Sequence, residues 1–352
     1  MTPLLIIIAL VLVAIAIWQI TKIFELSQPN ADNSQVASDN DNKWNGYLMI
    51  AFLIFIYALT IYSMWKWSKL ALGKPASEHG HDIDQLLYIS FVIIFFVQIV
   101  TQALLHYFAY KYRGEKGKKA LFYADNDRLE FIWTVIPVIV LAGLILYGLY
   151  TWNDIMNIDD EDDPIIIELY AQQFNWKARY AGEDNVLGNA NVRLIDIDKN
   201  NSLGIDEADT YAKDDIISLT ELHLPVNRKV IFKMRSQDVL HSAYMPHFRA
   251  QMNCVPGMVT QFSFIPTVTT EEMRLNPRIQ EKVQRVNKIR AEKRLKGEDA
   301  EPWEFDYILL CNKICGSSHY NMQMKIIVET EEEFNEWIKQ QQTFGETMAV
   351  AQ

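Results

Sequence analysis

The sequence predicts a helical membrane anchor followed by an all-β sandwich that lies outside the membrane. Four apolar runs fall within the first 150 of the 352 residues, and short runs that alternate apolar and polar residues follow Pro164. Long apolar runs are typical of membrane helices, and alternation is typical of half-buried strands. A third observation concerns function, because residue types that bind soft metals cluster within twelve positions near the C-terminus.

The anchor is predicted from four runs that are mostly apolar and nearly uncharged, residues 4–20, 47–65, 86–109 and 131–150. About 20 such residues span the hydrocarbon core of a bilayer as a helix, so we expect about four transmembrane helices. The first run lacks the basic and small-residue flanks of a signal peptide, which favours an uncleaved helix. We therefore divide the anchor into residues 1–46, one helix with a polar loop, and residues 47–152.

The orientation of the anchor follows from the loop between its third and fourth predicted helices. This loop is rich in basic residues, namely Lys111, Arg113, Lys116, Lys118, Lys119 and Arg128. Short loops of this composition stay in the cytoplasm. We therefore expect a multi-pass protein of the plasma membrane, with the residues after Trp152 on the outer face, which is the periplasm in a bacterium.

The charge balance bears on the class of partner. The formal net charge is −11 at pH 7, and 17 Asp or Glu residues against 5 Lys or Arg residues lie between Asp154 and Glu221. Acidity on this scale disfavours nucleic acid and favours a basic protein surface. We therefore expect no nucleic-acid partner.

The outer domain, residues 153–345, is predicted to be a sandwich because it contains several short runs rich in β-branched and aromatic residues. These runs are residues 165–170, 174–180, 229–234, 260–264, 307–310 and 323–328. Several of them alternate apolar and polar residues, as half-buried strands do. The cluster of metal-binding residue types lies between the last two runs.

Two charged inserts interrupt the predicted strands, at residues 185–222 and 271–302. The first carries oxygen ligands at positions 1, 3, 5 and 12 of a calcium-loop pattern, which are Asp196, Asp198, Asn200 and Glu207. Position six of that pattern is Asn201, where a calcium loop needs Gly. A solvated, turn-rich insert is therefore the favoured interpretation, and a calcium site is the alternative.

The second insert is predicted to form a helix. Its apolar residues Ile279, Val283, Val286 and Ile289 are spaced to share one helical face. That face docks either on the sandwich or on another subunit, and the sequence does not choose between them. Cys254 lies outside any ligand spacing and is expected to be a small buried residue.

The C-terminal cluster consists of Cys311, Cys315, His319 and Met322, with His241 as an upstream candidate for one more ligand. Thiolates and a thioether select copper(I), zinc or iron-sulfur chemistry, whereas imidazole suits copper and zinc, so the set favours copper. Two alternatives remain. The first is a zinc site, which needs no Met. The second is a disulfide between the two cysteines, which explains neither His319 nor Met322.

The spacing C-x3-C-x3-H-x2-M, with the upstream Asp238-Val-Leu-His241-Ser242, resembles subunit II of the haem-copper cytochrome c oxidases. The segment from Asp127 to Pro137 resembles the L-E-x-x-W-T-x-x-P signature of the same family. The resemblance covers about residues 85–267 and 303–340, less the first insert. It implies a cupredoxin-like outer domain that holds a binuclear copper centre, CuA.

The resemblance also implies the role of each ligand. Cys311 and Cys315 bridge two coppers, and His241 and His319 cap one copper each. Met322 is a weak ligand, and the backbone carbonyl of Lys313 is another. The implied function is to accept electrons from cytochrome c and pass them to haem in subunit I, where oxygen is reduced to water and protons are pumped.

Three further residues carry roles by the same resemblance. Glu130 matches the residue that marks the entrance of a proton channel into subunit I. Phe174 and Trp176 match the two aromatic residues of the family's H-Q-W-x-W segment, whose first Trp faces cytochrome c. Simple packing in the sandwich is the alternative for both aromatics, and it is favoured for Trp176.

The expected partners are subunit I, other oxidase subunits, the membrane and either a cytochrome c or a tethered cytochrome c domain. The chain contains no C-x-x-C-H motif for haem attachment, so the donor haem belongs to another chain. A membrane-anchored copper or zinc carrier is the competing function. Such a carrier has no need of the signature that includes Leu129, Glu130 and Trp133.

Overall fold

The computed structural model describes residues 2–27, 38–71, 73–119, 121–158 and 163–351. The chain divides into two compact units. The first comprises Met1–Ser68 and Val92–Ile132, and the second comprises Lys69–Phe91 and Trp133–Gln352.

Four long helices occupy the first part of the chain, α1 (Thr2–Leu26), α2 (Asp39–Trp67), α3 (Gly80–Lys111) and α4 (Asp127–Met156). Among the described residues, α2, α3 and α4 are long and apolar enough to cross a membrane, and α1 contains a shorter apolar stretch, Ala9–Phe24. Their side chains are largely exposed to the surroundings, as expected of helices whose solvent is lipid. The predicted helical anchor is confirmed.

The second unit contains a β-sandwich of two five-stranded sheets. Its strands are β1 (Ile165–Gln172), β2 (Asn175–Tyr180), β3 (Ile216–Ser218), β4 (Glu221–Pro225), β5 (Val230–Ser236), β6 (His241–Met245), β7 (Ala250–Cys254), β8 (Thr260–Phe264), β9 (Tyr307–Cys311) and β10 (Gln323–Glu329). The sheet orders are β3-β2-β1-β5-β8 and β4-β10-β9-β6-β7. The predicted fold class is confirmed, and all six predicted runs are strands.

The core lies between the two sheets and follows from the alternation in the strands. Strand β9 alternates buried and half-buried residues along its length, as a strand with one inward face must. Large side chains fill the space between the sheets, including Trp176, Phe232 and Tyr307, each at most 1% exposed. This packing makes the sandwich a rigid support for the loops at its edge.

A short segment before α3 is tied to the sandwich within the second unit. The backbone N–H of Ala76 donates to the His247 carbonyl at 2.8 Å, and the Ser77 hydroxyl donates to the Phe248 carbonyl at 2.6 Å. The guanidinium of Arg249 also pairs with the carboxylate of Asp84 at 2.8 Å. The predicted boundary at residue 152 puts this short segment in the anchor, although its contacts join it to the outer domain. The sequence does not show these contacts because the residues lie far apart along the chain.

The segment 185–222 differs from the solvated insert that its composition suggested. It contains β3 and the first residues of β4, and its residues Leu203 and Ile205 are fully buried. They form a second small core with Phe344 and Met348 of the C-terminal helix α8 (Phe344–Ala351). The segment is rich in turns, as expected, but its small core was missed because the sequence does not show that a distant helix covers a few scattered apolar residues.

The segment 271–302 is helical, as predicted, and forms α5 (Thr270–Leu275) and α6 (Pro277–Arg294). Ile279 and Val283 of α6 pack against the sandwich core, whereas Ile289 remains 53% exposed. The structure therefore assigns the first half of the apolar stripe, Ile279 and Val283, to the sandwich. Helix α7 (Glu331–Lys339) follows β10, and Cys254 is a buried free thiol, as expected.

Candidate metal centre

The pairing of β6 with β9 brings together ligands that are 70 residues apart in the chain. Ala243 of β6 lies opposite Cys311, the last residue of β9. Because side chains alternate between the two faces of a strand, His241 shares the face of Ala243 and points toward Cys311. The loop between β9 and β10 then places the remaining candidate ligands at the same end of the sheet.

The structure brings all six predicted ligands together, which are His241, Cys311, Lys313, Cys315, His319 and Met322. The Cys311 Sγ lies 4.0 Å from the Cys315 Sγ, 3.7 Å from the His241 Nδ1 and 3.2 Å from the Lys313 carbonyl oxygen. The Cys315 Sγ lies 3.6 Å from the His319 Nδ1 and 3.8 Å from the Met322 Sδ. Each sulfur therefore has its own imidazole.

These distances fit shared metal ligation. Bonds of about 2.3 Å to sulfur and about 2.0 Å to nitrogen place two ligands of one tetrahedral ion roughly 3.6 Å apart. The two sulfur–imidazole distances agree with that value. The cysteines are free thiols whose sulfur atoms lie far beyond the disulfide bond length of about 2.05 Å, so the disulfide alternative is not formed.

The environment of the site is dry and rich in sulfur. His241 is fully buried, Met322 is 1% exposed, and the two cysteines are at most 9% exposed, whereas His319 is half-buried. Within the described ranges, His241, Cys311 and Cys315 form the group of possible ligands whose atoms all lie within 4.8 Å of one another. A donor set of two thiols, two imidazoles and a thioether suits copper better than the harder ions.

Asp238 orients the His241 ring, a role that the sequence interpretation missed. The His241 Nε2–H donates to the Asp238 Oδ1 at 2.8 Å, which leaves the Nδ1 lone pair directed at the Cys311 side. Burial raises the pKa of Asp238, but its hydrogen bonds with His241 and with the Gln173 and Val239 backbones outweigh burial, and the pKa lies below its usual range. The three-residue spacing between Asp238 and His241 was the available signal.

The loop between β1 and β2 contacts the loop between β9 and β10, which carries the candidate ligands and is called the metal-binding loop below. The Gln173 side-chain amide donates to the Cys315 carbonyl, and the Gln173 backbone N–H donates to the Asp238 carboxylate at 2.8 Å. The half-buried Phe174 ring lies against Gly316, where an added Cβ would come within 2.8 Å of the ring. Gly316 has a φ of 143°, which also favours glycine.

Trp176 and Glu130 lie in very different surroundings. Trp176 is 1% exposed, and its ring stands edge-on to the His241 ring with centroids 6.3 Å apart. It therefore packs in the core beside a candidate ligand. Glu130 is an exposed residue in the first turn of α4, where its negative charge complements the helix dipole.

The calcium interpretation of residues 196–207 is not supported. The Asp196 Oδ1 accepts hydrogen bonds from the Asp198 and Lys199 backbones at 3.1 and 3.3 Å, so this carboxylate closes its own turn. Among the described residues, the His, Cys, Asp and Glu side chains that converge closely enough to hold a metal ion are His241, Cys311 and Cys315, and none of them lies in this insert. The sequence therefore contains the pattern of a calcium loop, but the side chains of that pattern do not converge on one point in the structure.

Two family models match the chain. The model for the transmembrane domain of cytochrome c oxidase subunit II matches residues 65–151, and the model for the periplasmic domain of the same subunit matches residues 165–271. Together they cover more than half of the chain. The second match includes His241 and ends before the loop that carries Cys311.

Two relatives point the same way, and one solved structure is also similar. The alternative cytochrome c oxidase subunit 2 of Bradyrhizobium diazoefficiens is 29% identical over 85% of this chain and 94% of its own length. Cytochrome c oxidase subunit 2 of Cereibacter sphaeroides is 21% identical over 76% of this chain and 78% of its own length. A solved structure, the periplasmic domain of subunit II of cytochrome oxidase from Bradyrhizobium japonicum, shares 18% identity with a TM-score of 0.29, covering 50% of this chain and 91% of that one.

The family matches cover both the helical anchor and the sandwich. The helices, the two-sheet outer domain and the sulfur-rich ligand cluster agree with them. The chain therefore belongs to the cytochrome c oxidase subunit II family, and it is a membrane-bound subunit of a haem-copper oxidase complex with an outer-face domain.

Proposed function

We propose that this chain is the electron-accepting subunit of a proton-pumping cytochrome c oxidase, with a binuclear CuA centre in its outer domain. The observation that carries the proposal is the pair of buried sulfur atoms 4.0 Å apart, each facing a different imidazole. Cys311 and Cys315 would hold the copper ions through their thiolates, and His241 and His319 would each supply one imidazole, which fits this arrangement. A single zinc ion is bound by Cys, His and carboxylate ligands, so a zinc site does not explain the thioether of Met322.

The chemistry that copper would supply at this site is one-electron exchange. The chain's own residues keep the ligands still. Asp238 holds the His241 ring, and the Gln173 amide holds the Cys315 carbonyl. Fixed ligand positions favour fast electron transfer because little of the site has to rearrange when the charge changes. The proposed acceptor is haem in subunit I.

Copper content and electron paramagnetic resonance of the purified full chain test the proposal. We expect two copper ions per chain and a signal from one unpaired electron shared by two copper nuclei. One zinc ion per chain without a signal contradicts the proposal and favours the carrier alternative. A signal from a single isolated copper also contradicts it.

The Met322→Leu variant should keep both coppers and change the reduction potential of the centre. A thioether is a weak ligand in a site dominated by thiolates, so it tunes the site without assembling it. The measurements are copper content and a redox titration. Met324→Leu is the matched control, because Met324 is also buried and lies on β10 beyond the ligand set. Loss of both coppers from Met322→Leu would contradict the tuning role.

On the opposite membrane face, we propose that Glu130 receives protons for subunit I, with the multi-pass anchor in the plasma membrane. Glu130→Gln should slow oxygen consumption by the assembled oxidase and leave reduction of the copper centre by its donor unchanged. Asp127→Asn is the matched control in the same first turn of α4. Equal slowing of both steps in Glu130→Gln would indicate a folding or assembly defect instead.

We further propose that electrons come from a cytochrome c held beside the site, as a tethered domain or a stable partner. Phe174 lies over the metal-binding loop but lacks the indole of the family's aromatic contact, and a fixed donor tolerates a poorer contact because its effective concentration is high. We also propose that the acidic stretch at residues 159–163 helps to position this donor, and all of this stretch except Asp163 lies outside the described residues.

Oxygen uptake with added soluble cytochrome c tests the fixed donor. We expect slow turnover by the isolated oxidase, and Phe174→Ala should slow it further because the variant removes the remaining contact over Gly316. Phe122→Ala is the control, since that residue is 91% exposed in the loop before α4. Fast, saturable and salt-sensitive turnover that survives Phe174→Ala would refute both the fixed donor and the role of Phe174.

A further inference from the structure

Helix α6 is strongly basic in an acidic protein. It carries seven Lys or Arg residues and two Glu residues, whereas the whole chain has a net charge of −11. One side of the helix is occupied by the sandwich. Asn287 exchanges two hydrogen bonds with the Trp303 backbone, at 2.7 and 2.9 Å, and Arg290 donates to the Glu301 carbonyl at 2.6 Å.

The opposite side of α6 begins against the segment that follows the second membrane helix. Lys69 pairs with Glu281 at 3.8 Å, and Arg278 donates to the Ala71 carbonyl at 3.5 Å. Both partners belong to the second unit. The helix that contains the second apolar span ends at Leu70, so these contacts lie near the level at which the chain leaves the bilayer.

Arg285 and Lys288 continue the same side of the helix. Positions 278, 281, 285 and 288 follow the spacing of three and four residues that keeps side chains on one helical face. Arg285 and Lys288 are exposed, and within the described residues neither has an ion-pair partner. Ile289, beside them, is 53% exposed although it is apolar.

We propose that this outer face of α6, formed by Arg285, Lys288 and Ile289, binds the headgroups of anionic phospholipids in the outer leaflet. Basic side chains attract lipid phosphates near a membrane surface, and an exposed apolar residue among them suits the headgroup boundary. The contacts with Lys69 and Ala71 place the start of this face where the apolar span ends. A lipid surface therefore fits it better than a diffusing partner.

The test uses the full chain in nanodiscs of phosphatidylcholine alone and of phosphatidylcholine with phosphatidylglycerol. Hydrogen exchange of α6 should be several-fold slower in the anionic discs at low salt, and the difference should vanish at high salt because surface attraction is screened. The double variant Arg285→Glu/Lys288→Glu should abolish it. Lys199→Glu/Lys213→Glu, an equal charge reversal at exposed positions of the first insert, should retain it.

Three outcomes would overturn the proposal. The first is that the exchange rates of α6 are the same in both kinds of disc. The second is that the slower exchange persists in Arg285→Glu/Lys288→Glu. In the third outcome, α6 is protected in phosphatidylcholine discs only when the other oxidase subunits are added, which would assign the face to a protein partner. Copper content and thermal unfolding of each variant verify that the outer domain is intact.

Discussion

Replacing Cys315 with serine should remove the binuclear centre from the outer domain. The Cys315 sulfur lies within 4.0 Å of three other candidate ligand atoms, which are the Cys311 sulfur, the His319 Nδ1 and the Met322 sulfur. A serine hydroxyl stays neutral and is a hard oxygen ligand, so it cannot replace the thiolate that the proposed copper centre needs. We expect copper content to fall below one ion per chain and the shared-electron signal to disappear.

The matched control for this prediction is Cys254→Ser. Cys254 is a fully buried free thiol on β7 outside the ligand set, so the chemical change is the same and the ligands are untouched. This control should keep both coppers, although a poorly partnered buried hydroxyl costs about 1–3 kcal/mol of unfolding free energy. If Cys315→Ser retains two coppers and the signal, the ligand assignment of Cys315 is wrong.

Asp238→Asn should weaken copper binding by about 10-fold to 100-fold, the usual effect of removing a carboxylate that orients a ligating histidine. The charged Asp238 carboxylate accepts the His241 Nε2–H at 2.8 Å and keeps Nδ1 available for the metal. Asparagine has nearly the same shape but no charge, and its amide can turn a donor toward His241. Chelator competition with the purified chain measures the loss.

Asp209→Asn is the control for the Asp238 prediction. The Asp209 carboxylate also accepts backbone hydrogen bonds, from Asn189 and Tyr211, and hydrogen bonding likewise holds its pKa below the usual range. It lies in the first insert, so its substitution should leave copper affinity unchanged. Equal affinity of Asp238→Asn and the unmodified chain would show that the sandwich alone orients His241.

The regular elements and the spacing of the loop ligands were predictable from the sequence. Apolar runs long enough to span a bilayer predict helices, because a backbone in lipid must satisfy its own hydrogen bonds. Short runs rich in β-branched and aromatic residues predicted strands such as β1, β8 and β10. The candidate ligands Cys311, Cys315, His319 and Met322 could also be predicted, because all four lie in one short stretch of the sequence.

The tertiary structure alone decided which distant residues meet. The pairing of β6 with β9 brings His241 beside Cys311, and the Asp238 carboxylate accepts a hydrogen bond from the His241 ring. The tertiary structure also buried Leu203 and Ile205 under α8, and it turned Asp196 inward on its own turn instead of toward other acidic residues. Spacing along the chain specifies local geometry, whereas contacts across 70 residues depend on strand pairing and register, which the packing of both sheets sets together.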